Sequence, residues 1–88
     1  MPPVLFIVFN RPDLTAQTFE AIRQAQPRML YVAADGPRVG RDELSRCEET
    51  RRIATQVDWD CEVRTLFAET NLGCRRGVQA ALDWFFSH

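Results

Sequence analysis

Residues 4–12 read VLFIVFNRP, an uncharged apolar run that stops abruptly at Asn10 and Arg11. A continuous apolar run of this length is typical of a β-strand that is buried on both faces of a parallel sheet. Pro12 bars further helix or ladder before it, and Asp13 is a suitable cap for the helix that follows. The stretch therefore predicts a strand over Val4–Phe9 whose carboxyl end carries polar residues, which is where α/β sheets bind ligands.

The same pattern recurs twice, in LYVAADGP at residues 30–37 and in NLGCRRG at residues 71–77. Apolar periodicity predicts strands at Val4–Phe9, Met29–Ala34 and Cys61–Phe67, and helices at Leu14–Ala25, Arg41–Val57 and Cys74–Phe86. The order β-α-β-α-β-α predicts a three-layer, Rossmann-like α/β fold with a parallel sheet covered by helices on both faces. The third strand alternates polar and apolar residues, so we expect it to be half exposed and near an edge of the sheet.

Length and charge limit the classes of protein to consider. The chain has 88 residues, of which 45% are hydrophobic and 26% charged, as expected of one folded domain, or part of one, over residues 1–88. The net charge of −1 provides no overall attraction for nucleic acid or for an anionic membrane. Any anion site must therefore be local.

Cysteine usage and the amino terminus indicate a cytoplasmic protein. The three cysteines, Cys47, Cys61 and Cys74, have no CxxC spacing, and the chain contains a single histidine. Free thiols in a reducing compartment are therefore expected, rather than a zinc site or a disulfide framework. The start, MPPVLFIVF, lacks the basic region and long apolar core of a signal peptide, and this run is too short to cross a bilayer.

Two of the predicted strands end in candidate ligand-binding residues. Asn10 and Arg11 follow the first strand, where a guanidinium just before a helix can grip a phosphate or a nucleoside edge. Asp35 follows the second strand and could accept hydrogen bonds from a ribose hydroxyl or a base N–H. The alternatives are a solvated loop arginine and a plain turn, because Asp-Gly-Pro is favourable turn chemistry by itself.

The third candidate group precedes the last helix. Asn71 and Gly73 belong to a turn whose backbone N–H groups are expected to be exposed, and Arg75 and Arg76 lie in the first helical turn. Two arginines there oppose the helix dipole unless an anion is near, which favours a binding site over two solvated side chains.

Catalytic and metal-binding groups are not predicted. Asp58-Trp59-Asp60 matches the D-x-D pattern of metal-dependent sugar transferases, but it precedes the third strand and so belongs to the opposite edge of the sheet from the predicted ligands. No serine or cysteine has a histidine partner other than the terminal His88, and there is no G-x-G-x-x-G or P-loop.

Together, VLFIVFNRPD, AADGP and TNLGCRRGVQAALDWFF resemble the amino-terminal half of GT-A-type glycosyltransferases, the nucleotide-diphospho-sugar transferases. The resemblance covers essentially the whole chain. It implies a partial GT-A fold that binds a nucleotide-diphosphate sugar, with a UDP-sugar as the expected donor. Arg11 would contact the uridine or the diphosphate and Asp35 the base or ribose, while the turn at residues 71–73 and the helix with Arg75 and Arg76 would border the pocket.

The resemblance also implies what this chain lacks. The family's acidic motif for Mn²⁺ or Mg²⁺, its acceptor site and its catalytic base follow the next strand, beyond His88. The full-length family member would transfer the sugar to an acceptor hydroxyl, whereas the 88-residue chain is expected to bind no metal and to be inactive alone. The donor sugar, the base, the acceptor and the stereochemistry are left open.

Two other functions stay open beside the glycosyltransferase half. One is a small non-catalytic nucleotide-binding or regulatory module, and the other is a subunit that another chain completes. Val4–Phe9 has no charge and no proline to protect a free edge. In the family's sheet this strand has a neighbour on each side, one of them beyond His88, so the resemblance implies that the 88-residue chain self-associates through that edge or is only marginally stable.

Overall fold

The computed structural model describes residues 2–88 as three strands that alternate with three helices. They are β1 (Val4–Val8), α1 (Pro12–Ala25), β2 (Met29–Ala34), α2 (Leu44–Ala54), β3 (Glu62–Phe67) and α3 (Cys74–Phe86). The strands are all parallel and lie in the order β1-β2-β3. The predicted α/β class, element order and parallel sheet are confirmed.

The helices cover both faces of the sheet, as predicted. On one face the core consists of alternate residues of β1 and β2 with residues of α1 and α2, namely Phe6, Val8, Leu30, Val32, Ala34, Phe19 and Ala54. On the other face Tyr31 packs edge-on against two rings of α3, with centroids 5.3 Å from Trp84 and 5.0 Å from Phe85. Because Tyr31 alternates with Leu30 and Val32 along β2, the two clusters lie on opposite sides.

The register brings the three carboxyl ends of the strands to one level. Val8 pairs with Ala34, and Ala34 pairs with Phe67. The loops that follow the strands therefore begin side by side at one edge of the sheet, which we call the carboxyl edge. Asp58-Trp59-Asp60 lies at the opposite edge, where the Trp59 indole donates a hydrogen bond to the Pro27 carbonyl, so its predicted placement is confirmed.

The first strand is not buried on both faces. It lies at an edge of the three-stranded sheet, and Ile7 is 41% exposed. The reason is tertiary: within residues 2–88 only β2 pairs with β1, and α3 covers that face of β1 incompletely. The third strand is the other edge and is largely exposed, in agreement with its alternating sequence.

Two predicted helix starts are also wrong. The amino-terminal cap of α1 is Arg11 rather than Asp13, and no side chain caps the helix. The second helix begins at Leu44 instead of Arg41 and ends at Ala54 instead of Val57. It starts late because Glu43 turns its side chain back into the preceding loop, and it ends where the Thr55 hydroxyl donates a hydrogen bond to the Arg51 carbonyl at 2.8 Å.

No helix within residues 2–88 combines the length and the apolar composition that a membrane span requires.

Candidate functional site

A groove of about 740 Å³ opens at the carboxyl edge and continues along the free side of β1. Its floor is formed by β1 and the end of β2, and its walls by α1 on one side and by the residue 71–73 turn and α3 on the other. Most of its lining is apolar, and its charged side chains are Arg11, Asp35 and Arg38. A cavity of this size with few polar groups matches a small-molecule or nucleotide site.

The carboxylate of Asp35 is fully engaged by the protein. One oxygen accepts hydrogen bonds from the backbone N–H groups of Gly36 and Leu72, both at 2.8 Å. The other accepts from the backbone N–H of Gly73 at 3.1 Å and from the side-chain amide of Asn71 at 3.2 Å. Four donors satisfy the carboxylate, so Asp35 ties the end of β2 to the start of α3.

These hydrogen bonds form a junction between Asp35 and the turn at residues 71–73, so the backbone N–H groups of that turn are not exposed as predicted. The N–H groups of Leu72 and Gly73, expected to be exposed, point instead at Asp35, whose negative charge occupies the positive end of the helix. Gly73 has a φ of 86°, which favours glycine there. Asn71 also donates to the Gly36 carbonyl at 3.0 Å. Asp35, Asn71 and Gly73 are brought together as predicted, but they bond to one another.

Asn10 is likewise buried, and its partner is Glu43, a residue for which no role is predicted from sequence. Its side-chain amide donates a hydrogen bond to the carboxylate of Glu43 at 2.7 Å. Glu43 is only 1% exposed. It also accepts from the Arg38 backbone N–H at 2.9 Å and from Arg38 Nε at 3.1 Å. This cluster, Asn10–Arg38–Glu43, joins the loop after β1 to the loop after β2.

The cluster keeps Glu43 ionised despite its burial. The side-chain hydrogen bonds from Arg38, followed by the one from the Arg38 backbone, lower the pKa of Glu43 from 4.5 to about 2, against the opposing effect of burial. A buried carboxylate without such partners would instead have a raised pKa. This role has no local sequence signal, because Glu43 lies in a charged stretch, RDELSR, at the predicted start of the second helix.

The predicted arginines separate into two groups. Arg11 is exposed and lines the groove, whereas Arg75 and Arg76 are exposed on the first turn of α3 and do not line it. Arg38, for which no role is predicted from sequence, does line it. The basic part of the groove in this structure is therefore Arg11 with Arg38.

A further arginine, Arg51, stabilises the carboxyl edge through hydrogen bonds to the backbone. Arg51 of α2 donates hydrogen bonds to the carbonyls of Asp35 at 3.1 Å and of Ala68 at 2.7 Å. Its guanidinium also lies over the ring of Phe67, 4.8 Å from the centroid. These contacts hold the ends of β2 and β3 together. A long side chain on a helix face gives no sequence signal for such a role, because its partners are backbone carbonyls.

Among residues 2–88 no group of three or more His, Cys, Asp or Glu side chains is placed to hold a metal ion. Asp58 pairs with Arg23 at 3.3 Å at the far edge, and the carboxylates of Asp35 and Glu43 are committed to N–H donors. The three cysteines are free thiols, and burial raises the pKa of the Cys47 thiol.

Fold and site together define a small three-layer α/β unit with an arginine-bearing groove at the carboxyl edge of its sheet. No protein-family model, curated protein or solved structure matches the chain.

Proposed function

We propose that this groove binds a nucleotide-diphosphate sugar, a UDP-sugar in the first instance, and that the chain is the nucleotide-binding half of a GT-A glycosyltransferase. The observation that carries the proposal is the presence of two arginines, Arg11 and Arg38, in one largely apolar groove at the carboxyl edge. Guanidinium groups bind phosphate oxygens through several directed hydrogen bonds, and the apolar walls suit a base and a ribose face.

Binding and orienting the donor are the steps assigned to this chain. A divalent metal would neutralise the leaving diphosphate in a complete family member, but the acidic side chains of residues 2–88 do not fit one at the groove. Sugar transfer to an acceptor hydroxyl is therefore proposed only for the complete enzyme. Of the seven residues predicted from sequence, Arg11 keeps a direct ligand role in this proposal, while Asn10, Asp35, Asn71 and Gly73 shape the groove.

Calorimetric titration of UDP tests the proposal. The Arg11→Ala variant should lose a charge-assisted contact worth about 1.5–3 kcal/mol, which is roughly a tenfold to hundredfold weaker affinity. Arg28→Ala is the matched control, because Arg28 is an exposed arginine at the opposite edge, where its carbonyl accepts the Glu62 N–H. Equal UDP affinities for wild type and Arg11→Ala would move the site elsewhere, and no saturable binding by wild type would refute the function.

A second function is favoured by a separate observation, the free side of β1 along the same groove. That edge suits a subunit whose sheet is completed by another chain, with or without nucleotide binding. A wild-type chain that binds no UDP but associates through β1 would select this alternative.

A further inference from the structure

The Arg38 side chain contacts Glu43 and Phe9, and part of its guanidinium is exposed to solvent. Its Nε donates to Glu43 at 3.1 Å, and Nη2 donates to the same carboxylate. Its guanidinium lies 5.7 Å from the centroid of the Phe9 ring. Within residues 2–88, Nη1 has no hydrogen-bond partner, and 44% of the Arg38 side chain is exposed. Arg38 is thus fixed in place while still presenting free donors.

The Arg38 guanidinium has free donors left after it pairs with Glu43. A guanidinium has five N–H donors. Glu43 uses the one on Nε and one on Nη2, which leaves the second N–H of Nη2 and both N–H groups of Nη1. Three donors in one plane, at the rim of a groove that also contains Arg11, match the oxygens of a phosphate group.

From this geometry we infer that Arg38 is a diphosphate-binding residue of the groove and that buried Glu43, steadied by Asn10, is its positioning residue. The inference deepens the proposed function and rests on it for the identity of the nucleotide. Glu43 cancels the charge of Arg38 formally, so its contribution is geometric: it presents the open edge of the guanidinium in one orientation. Burying a carboxylate is costly unless it is paired, and Arg38 and Asn10 provide that pairing.

Substitution at Glu43 separates positioning from simple electrostatics, because the two make opposite predictions. Glu43→Gln removes a negative charge beside the groove, so electrostatics alone predicts tighter binding of an anion. A positioning role predicts weaker binding, since the neutral amide no longer holds the guanidinium fork. Arg38→Lys separates them again, because lysine keeps the charge but cannot bond to Glu43 and to a phosphate with one planar group.

The experiment titrates inorganic pyrophosphate, UDP and uridine into the ¹⁵N-labelled chain, with NMR detection of amide and arginine Nε–H signals. Wild type should show a saturable shift of the Arg38 Nε–H signal with pyrophosphate and UDP. Arg38→Ala and Arg38→Lys should bind both about tenfold more weakly, and Glu43→Gln several-fold more weakly, with uridine affinity unchanged. Arg41→Ala is the control, because Arg41 is an exposed arginine of the same loop that does not line the groove.

The outcomes distinguish this inference from the proposed function. If UDP binds and Arg38→Ala behaves like Arg41→Ala, the inference is overturned and the function stands. If pyrophosphate binds through Arg38 but UDP binds no tighter, the inference stands and the nucleotide function is overturned. Tighter pyrophosphate binding by Glu43→Gln overturns the positioning role, and no binding of either ligand overturns both. If Glu43→Gln does not fold, the wild-type Nε–H signal and the Arg38 variants decide the inference.

Discussion

At the residue scale, Asp35 shows how a candidate ligand can be a structural group. A carboxylate at the end of a buried strand resembles a binding residue in sequence, yet its four hydrogen bonds are all internal. It stabilises the turn at residues 71–73 and the first turn of α3 at once. A direct contact with a nucleotide would have to replace one of these bonds.

Removing the Asp35 carboxylate should therefore destabilise the fold whether or not ligand is present. Asp35→Ala leaves four donors without their acceptor, and we expect a loss of about 2–3 kcal/mol in the free energy of unfolding, measured by urea denaturation. Asp42→Ala is the control, because Asp42 is exposed in the loop before α2, and such a change should stay within about 0.5 kcal/mol. An unchanged urea midpoint for Asp35→Ala would show that the junction contributes nothing.

Glu43 predicts an acid-sensitive component of stability. Its pKa is lowered from 4.5 to about 2 in the folded chain, chiefly by the side-chain hydrogen bonds from Arg38. The stabilisation is therefore complete above the unfolded pKa and is lost as pH falls from about 4.5 to about 2. Urea midpoints of wild type and Glu43→Gln, compared at pH 7 and below pH 3, should converge on acidification. A difference in urea midpoint between the two proteins that stays constant with pH would contradict the lowered pKa of Glu43.

At the element scale, two glycines near Asp35, Gly36 and Gly77, differ in the space available for a Cβ atom. A Cβ on Gly36 would lie 2.7 Å from the Thr70 carbonyl carbon and 2.8 Å from the Ala68 carbonyl oxygen. The turn after β2 thus passes directly against the segment after β3. A Cβ on Gly77, inside α3, would lie 3.4 Å from Asp35 Oδ2, at ordinary van der Waals distance.

The same substitution at the two glycines should therefore have opposite effects. Gly36→Ala forces backbone apart and should cost about 1–3 kcal/mol. Gly77→Ala replaces a poor helix former in a helix interior and should stabilise the chain by about 0.5–1 kcal/mol. Thermal unfolding of both variants beside wild type measures the difference. A destabilised Gly77→Ala would indicate that the contact with Asp35 is tighter than the structure shows.

The helix pattern was predicted well where tertiary contacts do not intervene. The predicted bounds of α3 match the structure because its apolar stripe continues through the last turn. Those of α2 do not, because the Asn10–Arg38–Glu43 cluster draws Glu43 into the loop. The position of a helix end depends on the hydrogen bonds of its polar side chains, and here the partners lie outside the local sequence.

At the scale of the whole molecule, the sheet has two edges of different character. The β3 edge carries an ion pair between Glu62 and Arg64, which discourages pairing with another strand. The β1 edge has no charge from Val4 to Val8. Ile7 on β1 and Leu66 on β3 flank Ala33 in register, and they are 41% and 38% exposed. Ile7 and Leu66 are therefore similarly exposed, but only the edge that contains Leu66 carries charged side chains.

This contrast predicts self-association through β1. A twofold-related copy offers the same uncharged edge, so two β1 strands can pair antiparallel. Size-exclusion chromatography with light scattering should show wild type associating as its concentration rises. Ile7→Lys should reduce that association, whereas Leu66→Lys should not. A wild-type chain that stays monomeric on concentration would refute this prediction, and equal effects of the two lysines would place the contact elsewhere.

The sequence by itself determined the order and type of the elements, the parallel sheet and the edge at which Asn10, Arg11, Asp35 and Asn71 meet. These follow from local apolar periodicity and from the chain order of strands and helices. Only the tertiary structure decided the partners of those side chains. Asn10 bonds to a residue 33 positions away, and Asp35 to residues up to 38 positions away. Hydrogen-bond partners so distant in the chain are set by packing, so the roles of Glu43 and Arg38 left no local pattern to predict.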